Sequence, residues 1–243
     1  MEGYSCYLEK LEEILREMAQ QEGEAIRKAA ALIYHRVKNG GFLYVFGTGH
    51  GHMLAEELFY RAGGMVRVIP MLDEQAMLHI SASGSTAYER EIGNASDILS
   101  RYALNEKDIL LIASNSGRNA VPVEIALLSS QKGAATIALT NLKHSESVPS
   151  RHPGGKKLYE VCDVVIDNHG VPGDACVHIG GKWISPTSTA VGAAILQALV
   201  AQVAYLAQED GAELEFFVSS NMPDGDMANQ SHLTKYCGII KAL

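Results

Sequence analysis

Short, largely apolar runs recur along the chain and alternate with stretches of helical periodicity. Five of these runs predict β-strands: FLYVF at 42–46, VRVI at 66–69, ILLIA at 109–113, ATIAL at 135–139 and VVI at 164–166. Continuous rather than alternating apolar residues are expected for strands that helices cover on both faces. Helical patterns over 53–62, 89–103 and 121–132 lie between the runs. This alternation indicates an α/β fold with a parallel sheet and right-handed crossovers.

Helical patterns also flank the alternating region. Apolar residues recur every three or four positions over 5–38, with an interruption at 20–24, so two helices or one bent helix are expected. A long apolar helix is predicted over 189–207. We expect a single domain over 1–243, made of an N-terminal helical segment (1–38), an α/β core (39–210) and a C-terminal extension (211–243). The extension is expected to wrap the core, with a frayed tail as the alternative.

The composition narrows the class of protein. The chain has 243 residues, of which 47% are hydrophobic and 20% charged, which excludes a disordered chain and a disulfide-stapled miniprotein. Its formal net charge of −8 argues against nucleic-acid binding, which needs a basic surface. The four cysteines form no Cys-x-x-Cys pair, and we interpret them as reduced thiols of a cytoplasmic protein. Because no uninterrupted apolar segment is long enough and no signal-peptide pattern is present, no membrane association is expected.

The first candidate binding segment is Gly47-Thr48-Gly49-His50-Gly51-His52, directly after the first predicted strand. Glycines allow the backbone to approach a ligand, and a helix N-terminus offers free N–H groups to an anion. A dinucleotide-binding fingerprint requires a third glycine where this chain has His52, and no P-loop lysine follows. The segment therefore suits a small anion, or alternatively it is only a tight turn.

Two further segments carry hydroxyl groups at predicted helix starts. Ser114-Asn115-Ser116-Gly117 follows the strand ILLIA, at the strand end where ligands bind in open α/β sheets. Ser185-Pro186-Thr187-Ser188-Thr189 precedes the long apolar helix. Helix N-capping is the alternative role for each segment, although a cap explains only one hydroxyl. Together, the three segments predict a small phosphorylated ligand held by amide and hydroxyl donors.

These segments resemble those of the SIS (sugar isomerase) domain, and more narrowly those of SIS proteins similar to phosphoheptose isomerases. The resemblance covers about residues 5–210 and rests on GTGHGHMLAEE (47–57), IASNSGRNAVPVEIA (112–126) and SPTSTAVGAAILQAL (185–199). It implies a three-layer αβα sandwich with a five-stranded parallel sheet, doubly wound as in flavodoxin, and a long N-terminal helix. It also implies phosphosugar binding and a homodimer or homotetramer with the site near a subunit boundary.

The resemblance assigns the binding roles residue by residue. The segment Ser114-Asn115-Ser116 and Asn119 fall where the family surrounds the phosphate, whereas Thr48 and His50 fall in the loop that flanks the sugar. Many relatives have serine where this chain has Gly51, a change that removes a hydroxyl donor and leaves a backbone N–H.

We do not expect this chain to have the zinc site of phosphoheptose isomerases. Where those enzymes have a zinc-binding histidine, this chain has Glu56 and Glu57. His50 and His52 have a spacing that could bind a metal, but no clear third ligand accompanies them. We therefore predict no metal and no cofactor.

Aldose–ketose isomerisation needs a base that moves a proton between adjacent carbons, and an acid–base group for the oxygens. The resemblance implies a glutamate ahead of the Ser-x-Ser-Gly strand as the base, where we favour Glu89 over Glu91. Glu56, about two helical turns after the glycine segment, is a further candidate. Dipole-complementing or solvated charges are the alternative roles of these glutamates. His50 or His178 is the predicted acid–base histidine.

Several functions fit these residues. The favoured hypothesis is an isomerase that acts on a sugar phosphate, with an amino-sugar-phosphate lyase or etherase as its alternative. A sugar-phosphate sensor without catalytic activity is the second hypothesis. A dinucleotide-dependent oxidoreductase is the third, and the missing third glycine argues against it.

Overall fold

Five strands form one parallel sheet in the computed structural model, which describes residues 2–243. They are β1 (Leu43–Gly47), β2 (Val68–Met71), β3 (Ile109–Ala113), β4 (Ala135–Thr140) and β5 (Val164–Asp167). Every strand overlaps its predicted apolar run, and every pairing is parallel. The α/β fold with a five-stranded parallel sheet is therefore confirmed.

Helices lie between and around the strands. In the described residues these helices are α1 (Gly3–Gln21), α2 (Gly23–Lys38), α3 (His52–Leu58), α4 (Ala82–Tyr88), α5 (Asn94–Ser100), α6 (Ala120–Gln131), α7 (Leu142–Ser147), α8 (Ser188–Glu209) and α9 (Gly225–Tyr236). The predicted N-terminal helix is two helices, which meet at Glu22. The break agrees with the interruption in the apolar pattern at 20–24.

Both faces of the sheet are covered, which explains why its strands are continuously apolar. Successive strand residues point to opposite faces, so Val45 and Leu111 join one buried cluster with residues of α1, α2, α3 and α8. Phe46 and Ile112 join a second cluster with residues of α5, α6 and α9. These two layers of helices and the sheet between them form the αβα sandwich.

The strand order creates a crevice at one edge of the sheet. The order is β2-β1-β3-β4-β5, so the chain leaves β1 in one direction and β3 in the other. Ligands in open α/β sheets bind at such a switch point, beyond the carboxyl ends of the strands. The loops that follow β1 and β3 are the glycine and serine segments described above.

The helix predicted over 89–103 is confirmed only in its middle, where α5 covers Asn94–Ser100. Its predicted start is wrong, because Glu89 follows the end of α4 rather than beginning a helix. Gly93 has a φ of 94°, a left-handed conformation that interrupts a helix, and the Asn94 side chain donates to the Tyr88 carbonyl oxygen at 2.9 Å. The helix α4 escaped prediction because its sequence, ASGSTAY, is short and poor in apolar residues.

An antiparallel hairpin lies between β5 and α8, where the apolar pattern predicted no strand. Its strands are β6 (Ala175–Ile179) and β7 (Lys182–Pro186), joined by Gly180 and Gly181, which both have positive φ. The hairpin lies against the N-terminal part of the chain, where the Tyr7 hydroxyl donates to the Pro186 carbonyl oxygen at 3.2 Å. This contact connects α1 with the segment that leads into α8.

The helix α8 is long and apolar enough to cross a membrane by length and composition alone. In the fold, one side of it is buried in the first apolar cluster, through Val191, Ile195, Leu199 and Val203. In the next helix along the chain, Tyr236 on α9 is buried in the second cluster. Both helices therefore contribute to the packing on the sheet.

Candidate functional site

A cavity of about 230 Å³ opens at the carboxyl ends of the strands, at the switch point between β1 and β3. It is lined by residues from the loops after the strands and from the start of α8: Thr48, His50, Gly51, Leu54, Glu89, Ala113, Ser114, Asn115, Ser116, Asn119, Leu139, His144, Asn168, Asp174, Ser188 and Thr189. Most of these residues are polar, and they come from segments that are far apart in sequence.

The loop after β3 presents free hydrogen-bond donors to this cavity. The Ser114 Oγ accepts the Gly117 N–H at 3.3 Å, which leaves its own hydroxyl proton to donate elsewhere. Within residues 2–243, neither the Ser116 hydroxyl nor the backbone N–H groups of Asn115 and Ser116 donate to a protein acceptor. Gly117 has a φ of 56°, so a glycine suits the turn that brings these donors together. The loop can therefore surround an anion.

A chain of asparagine side chains holds the loop in place. The Asn168 Nδ2 donates to the Asn115 Oδ1 at 2.8 Å, and the Asn141 Nδ2 donates to the Asn168 Oδ1 at 2.9 Å. Asn141 is fully buried and Asn168 nearly so. Buried amides that satisfy one another are rigid, because breaking one bond leaves a buried polar group without a partner. The Asn115 Nδ2 stays available to a ligand.

Glu89 lies on the wall of the cavity, although it does not begin a helix. The Thr48 hydroxyl donates to its Oε2 at 2.5 Å, and its backbone carbonyl accepts the Val121 N–H at 3.1 Å. The carboxylate is thereby oriented by the loop after β1 and the backbone is fastened to the start of α6. One carboxylate oxygen of Glu89 is left free to act on a ligand.

Two histidines line the cavity, and only one of them was predicted. His50 is exposed in the turn between β1 and α3. His144, on α7, accepts the Gly173 N–H at its Nδ1 at 3.2 Å, so the neutral ring carries its proton on Nε2. Burial and the positive charge of Arg118 lower the pKa of His144, while Asp174 acts in the opposite direction. Burial and the Arg118 charge thus favour the neutral His144 ring.

The hydroxyls of Thr187 and Ser188 at the start of α8 donate to the Asp174 carboxylate, which also caps the helix. The Asp174 carboxylate accepts the N–H groups of Thr187 and Ser188, at 3.0 and 2.8 Å, and the Ser188 hydroxyl at 2.5 Å. A carboxylate at this position complements the positive end of the helix dipole. Thr187 is fully buried and does not line the cavity, so its predicted ligand contact is wrong. Ser188 lines the cavity with its hydroxyl already donating to Asp174.

Three other predicted residues lie outside the cavity. Ser185 belongs to β7, where its carbonyl oxygen accepts a hydrogen bond from the Cys176 thiol, with Sγ at 3.2 Å. His178 is exposed on β6, with its ring centroid 5.0 Å from that of Trp183. Glu56 has a half-exposed side chain on α3, and its carboxylate lies 3.9 Å from the His52 Nε2. These three residues therefore do not meet the others in the cavity of a single chain, and their roles stay predictions.

The glycines of the first segment shape the loop more than they line it. Of Gly47, Gly49 and Gly51, only Gly51 reaches the cavity. A Cβ on Gly47 would lie 2.3 Å from the Gly51 carbonyl group, and a Cβ on Gly51 would lie 2.6 Å from the Ala113 carbonyl oxygen. The serine of many relatives therefore has no room at position 51 here. Gly47, Gly49 and Gly117 act through backbone conformation and close approach.

Three polar residues of the cavity were missed by the sequence analysis. His144 and Asn168 follow β4 and β5, and the rule that ligands bind beyond the carboxyl ends of parallel strands could have found them. Asp174 had no such signal, because only the return of the chain through the hairpin brings it to α8.

Within residues 2–243, no group of three histidine, cysteine, aspartate or glutamate side chains is arranged to hold a metal ion.

Comparisons with known proteins agree with this fold. A family model of the SIS domain matches residues 6–141, more than half of the chain. A UPF0309 protein from Geobacillus thermodenitrificans is 44% identical over 232 residues, which is 95% of this chain and 93% of the relative. A UPF0309 protein from Halalkalibacterium halodurans is 42% identical and covers 96% of this chain and 98% of the relative.

Solved structures of phosphoheptose isomerases have the same fold. The enzyme from Neisseria gonorrhoeae has a TM-score of 0.54 and 17% identity, and the comparison covers 84% of this chain and 97% of the enzyme. The enzyme from Francisella tularensis has a TM-score of 0.53 and 18% identity, over 83% of this chain and 96% of the enzyme. The fold, the family model and the sequence identity agree, so the chain belongs to the SIS-domain proteins and, among them, to the UPF0309 family.

Proposed function

We propose that this protein binds a phosphorylated sugar in the cavity and interconverts its aldose and ketose forms. The phosphate would accept hydrogen bonds from the hydroxyls of Ser114 and Ser116 and from the backbone N–H groups of their loop. Neutral donors of this kind hold a dianion without a cation, as oriented amides do in other anion-binding loops. The names of the structural neighbours, phosphoheptose isomerases, agree with such a ligand.

Glu89 is the proposed base of the reaction. Its free carboxylate oxygen would remove the proton from the hydroxyl-bearing carbon next to the carbonyl, and the electron pair would form an enediol. The same carboxyl group would return the proton to the neighbouring carbon, which converts aldose to ketose. His144 or His50 would transfer the proton between the two oxygens, because imidazole can both accept and donate near neutral pH.

One observation carries this proposal: the free hydroxyl donors of the β3 loop and the Glu89 carboxylate, oriented by Thr48, face the same cavity. A loop that served only to cap α6 would not need donors on its cavity side. In addition, Asn119, which precedes α6, makes no side-chain cap to that helix. Its Nδ2 is a further donor available to a phosphate.

The test separates binding from chemistry. We expect glucose 6-phosphate or a heptose 7-phosphate to bind in calorimetry, and Ser114→Ala with Ser116→Ala to weaken binding at least 10-fold, as expected for lost bonds to a charged group. Glu89→Gln should still bind, while exchange of the transferred carbon-bound proton with solvent deuterium, followed by NMR, should slow at least 100-fold.

Glu91→Gln is the matched control, because Glu91 is exposed two residues away and does not line the cavity. It should exchange protons at the wild-type rate. Equal rates for Glu89→Gln and the wild type would refute Glu89 as the base. The absence of binding by any sugar phosphate would refute the whole proposal.

We further propose that copies of the chain associate, and that the protein acts in the cytoplasm. Large apolar side chains are exposed near the N-terminus and on the hairpin, and we call this set the hairpin patch: Tyr4, Leu8, Ile179, Trp183 and Ile184. Such a patch favours association, since large apolar side chains are seldom exposed together on monomers. The four free cysteines are consistent with a reducing compartment.

A further inference from the structure

We propose that the substrate of this cavity carries a second anionic group besides its phosphate, and that Arg118 and Arg151, with Arg90 beside them, bind it. The proposal rests on the sugar-phosphate function proposed above and narrows its substrate class to sugar-acid phosphates or sugar bisphosphates that keep a free carbonyl carbon for the isomerisation. Guanidinium groups suit both, because their planar donors match carboxylate and phosphate oxygens.

Arg151 is held next to the cavity. Its Nη1 donates to the Asn119 Oδ1 at 2.9 Å, and its backbone N–H donates to the Arg118 carbonyl oxygen at 2.8 Å. Asn119 is 5% exposed and lines the cavity. A guanidinium has five N–H donors, so the bond to Asn119 leaves four for a ligand.

Arg118 directly follows the phosphate-binding loop, and it is not satisfied by the protein. Its Nε is buried without a hydrogen-bond partner anywhere in residues 2–243. A buried donor without a partner costs free energy, and a donor on a charged group costs more. The charge of Arg118 also acts on His144, which lines the cavity. A bound anion would supply the missing acceptor.

No carboxylate of residues 2–243 pairs with the positive charges of Arg90, Arg118 and Arg151. Within residues 2–243, none of Arg90, Arg118 and Arg151 lies within 4.0 Å of a carboxylate, whereas Arg16 and Arg61 each form an ion pair. Partial burial, followed by the charges of Arg118 and Arg90, lowers the pKa of Arg151, and Glu89 opposes that effect. Three mutually repelling cations in a chain of net charge −8 indicate a site for an anion.

Arg118 and Arg151 lie beside the serine loop and Asn119, whereas Arg90 lies beside Glu89. Arg90 is the next residue after Glu89, and both charges act on Arg151. In the proposed function, Glu89 faces the reacting carbons, whereas the phosphate lies on the serine loop. The three arginines therefore extend from the serine loop, where the phosphate is proposed to bind, toward Glu89, and a second anionic group between these two ends would meet them.

Matched open-chain probes test the proposal. Glucitol 6-phosphate has a neutral first carbon, 6-phosphogluconate has a carboxylate there, and glucitol 1,6-bisphosphate has a second phosphate. We expect the wild type to bind one of the two doubly anionic probes at least 10-fold more tightly than glucitol 6-phosphate in calorimetry at fixed salt concentration. Arg118→Gln and Arg151→Gln should each remove most of that preference, about 10-fold or more, as charge-assisted bonds require.

Arg16→Gln is the control for the change in net charge, because Arg16 is exposed on α1 and pairs with Glu12. It should keep the wild-type preference. Equal wild-type affinity for all three probes would overturn this inference and leave the sugar-phosphate function standing. An equal loss of affinity for all three probes in Arg118→Gln would also overturn it, because that result would assign Arg118 to the phosphate. Failure of every probe to bind would instead refute the underlying function.

Discussion

The Asp174 side chain occupies the hydrogen-bond donors of a segment that the sequence alone would assign to an anion. The hydroxyl-rich start of α8 has the composition of an anion site, but the Asp174 carboxylate accepts the hydrogen bonds that an anion would take. By contrast, Ser116 in the β3 loop keeps its hydroxyl free within the described residues. A serine hydroxyl thus donates to a carboxylate of the protein in one loop and is a candidate ligand contact in the other.

His144 allows a residue-scale prediction about pH. Because burial and the charge of Arg118 lower its pKa, removing that charge in Arg118→Gln should raise the pKa, and Asp174→Asn should lower it further. Histidine NMR signals followed through a pH titration would measure both shifts. An unchanged His144 titration in Arg118→Gln would contradict the predicted coupling.

The same lowered pKa has a consequence for stability. In the unfolded chain His144 binds a proton at about pH 6.5, whereas the folded protein holds the ring neutral to lower pH. The unfolded state therefore binds more protons between the two pKa values, so acidification below about pH 6.5 favours unfolding. His144→Gln should lose that part of the pH dependence in urea denaturation series.

At the scale of elements, the site depends on how closely the loop after β1 approaches the end of β3. Gly51 has ordinary helical backbone angles, so only space, and not backbone strain, excludes a side chain there. Its ideal Cβ position lies 2.6 Å from the Ala113 carbonyl oxygen, which belongs to a buried strand and cannot move freely. The two loops that form the cavity are thus in direct backbone contact.

Gly51→Ala should therefore destabilise the fold by about 1–3 kcal/mol, the usual cost of overpacking, and weaken sugar-phosphate binding. Chemical denaturation and calorimetry would measure the two effects. Gly238→Ala is the control, because its Cβ would meet nothing within 4 Å and its φ is not positive. A stable Gly51→Ala variant with wild-type affinity would show that the loops separate more easily than their contact suggests.

At the scale of the whole molecule, the hairpin patch predicts self-association. Trp183 is 66% exposed, and exposed tryptophans are frequent among residues that dominate interface energies. If copies associate through this patch, Trp183→Ser should weaken the assembly at least 10-fold, measured by light scattering across a concentration series. Met227→Ser is the matched control, because Met227 is 71% exposed on α9 outside the patch. A monomeric wild type at tens of micromolar would contradict the prediction.

Local patterns in the sequence determined the strands, the break between α1 and α2, and the serine loop after β3. They could do so because burial on both faces of a parallel sheet requires continuous apolar runs, and the β3 run 109–113 coincides with the strand itself. The same patterns gave no reason to end a helix at Glu89 or to pair residues 175–186 as a hairpin. Weakly apolar elements such as α4 and β7 have their conformation decided by their neighbours.

Only the tertiary structure decided which of the candidate residues meet. Asn115 contacts Asn168, Thr48 contacts Glu89, and Asp174 reaches the start of α8 through the hairpin, although each pair is separated in sequence. A hydroxyl or carboxylate in a sequence does not show whether its hydrogen bonds are already made by the protein, because the partners come from other elements. The amino-acid sequence thus specifies which functional groups are present, whereas packing decides which of them remain free to bind a ligand.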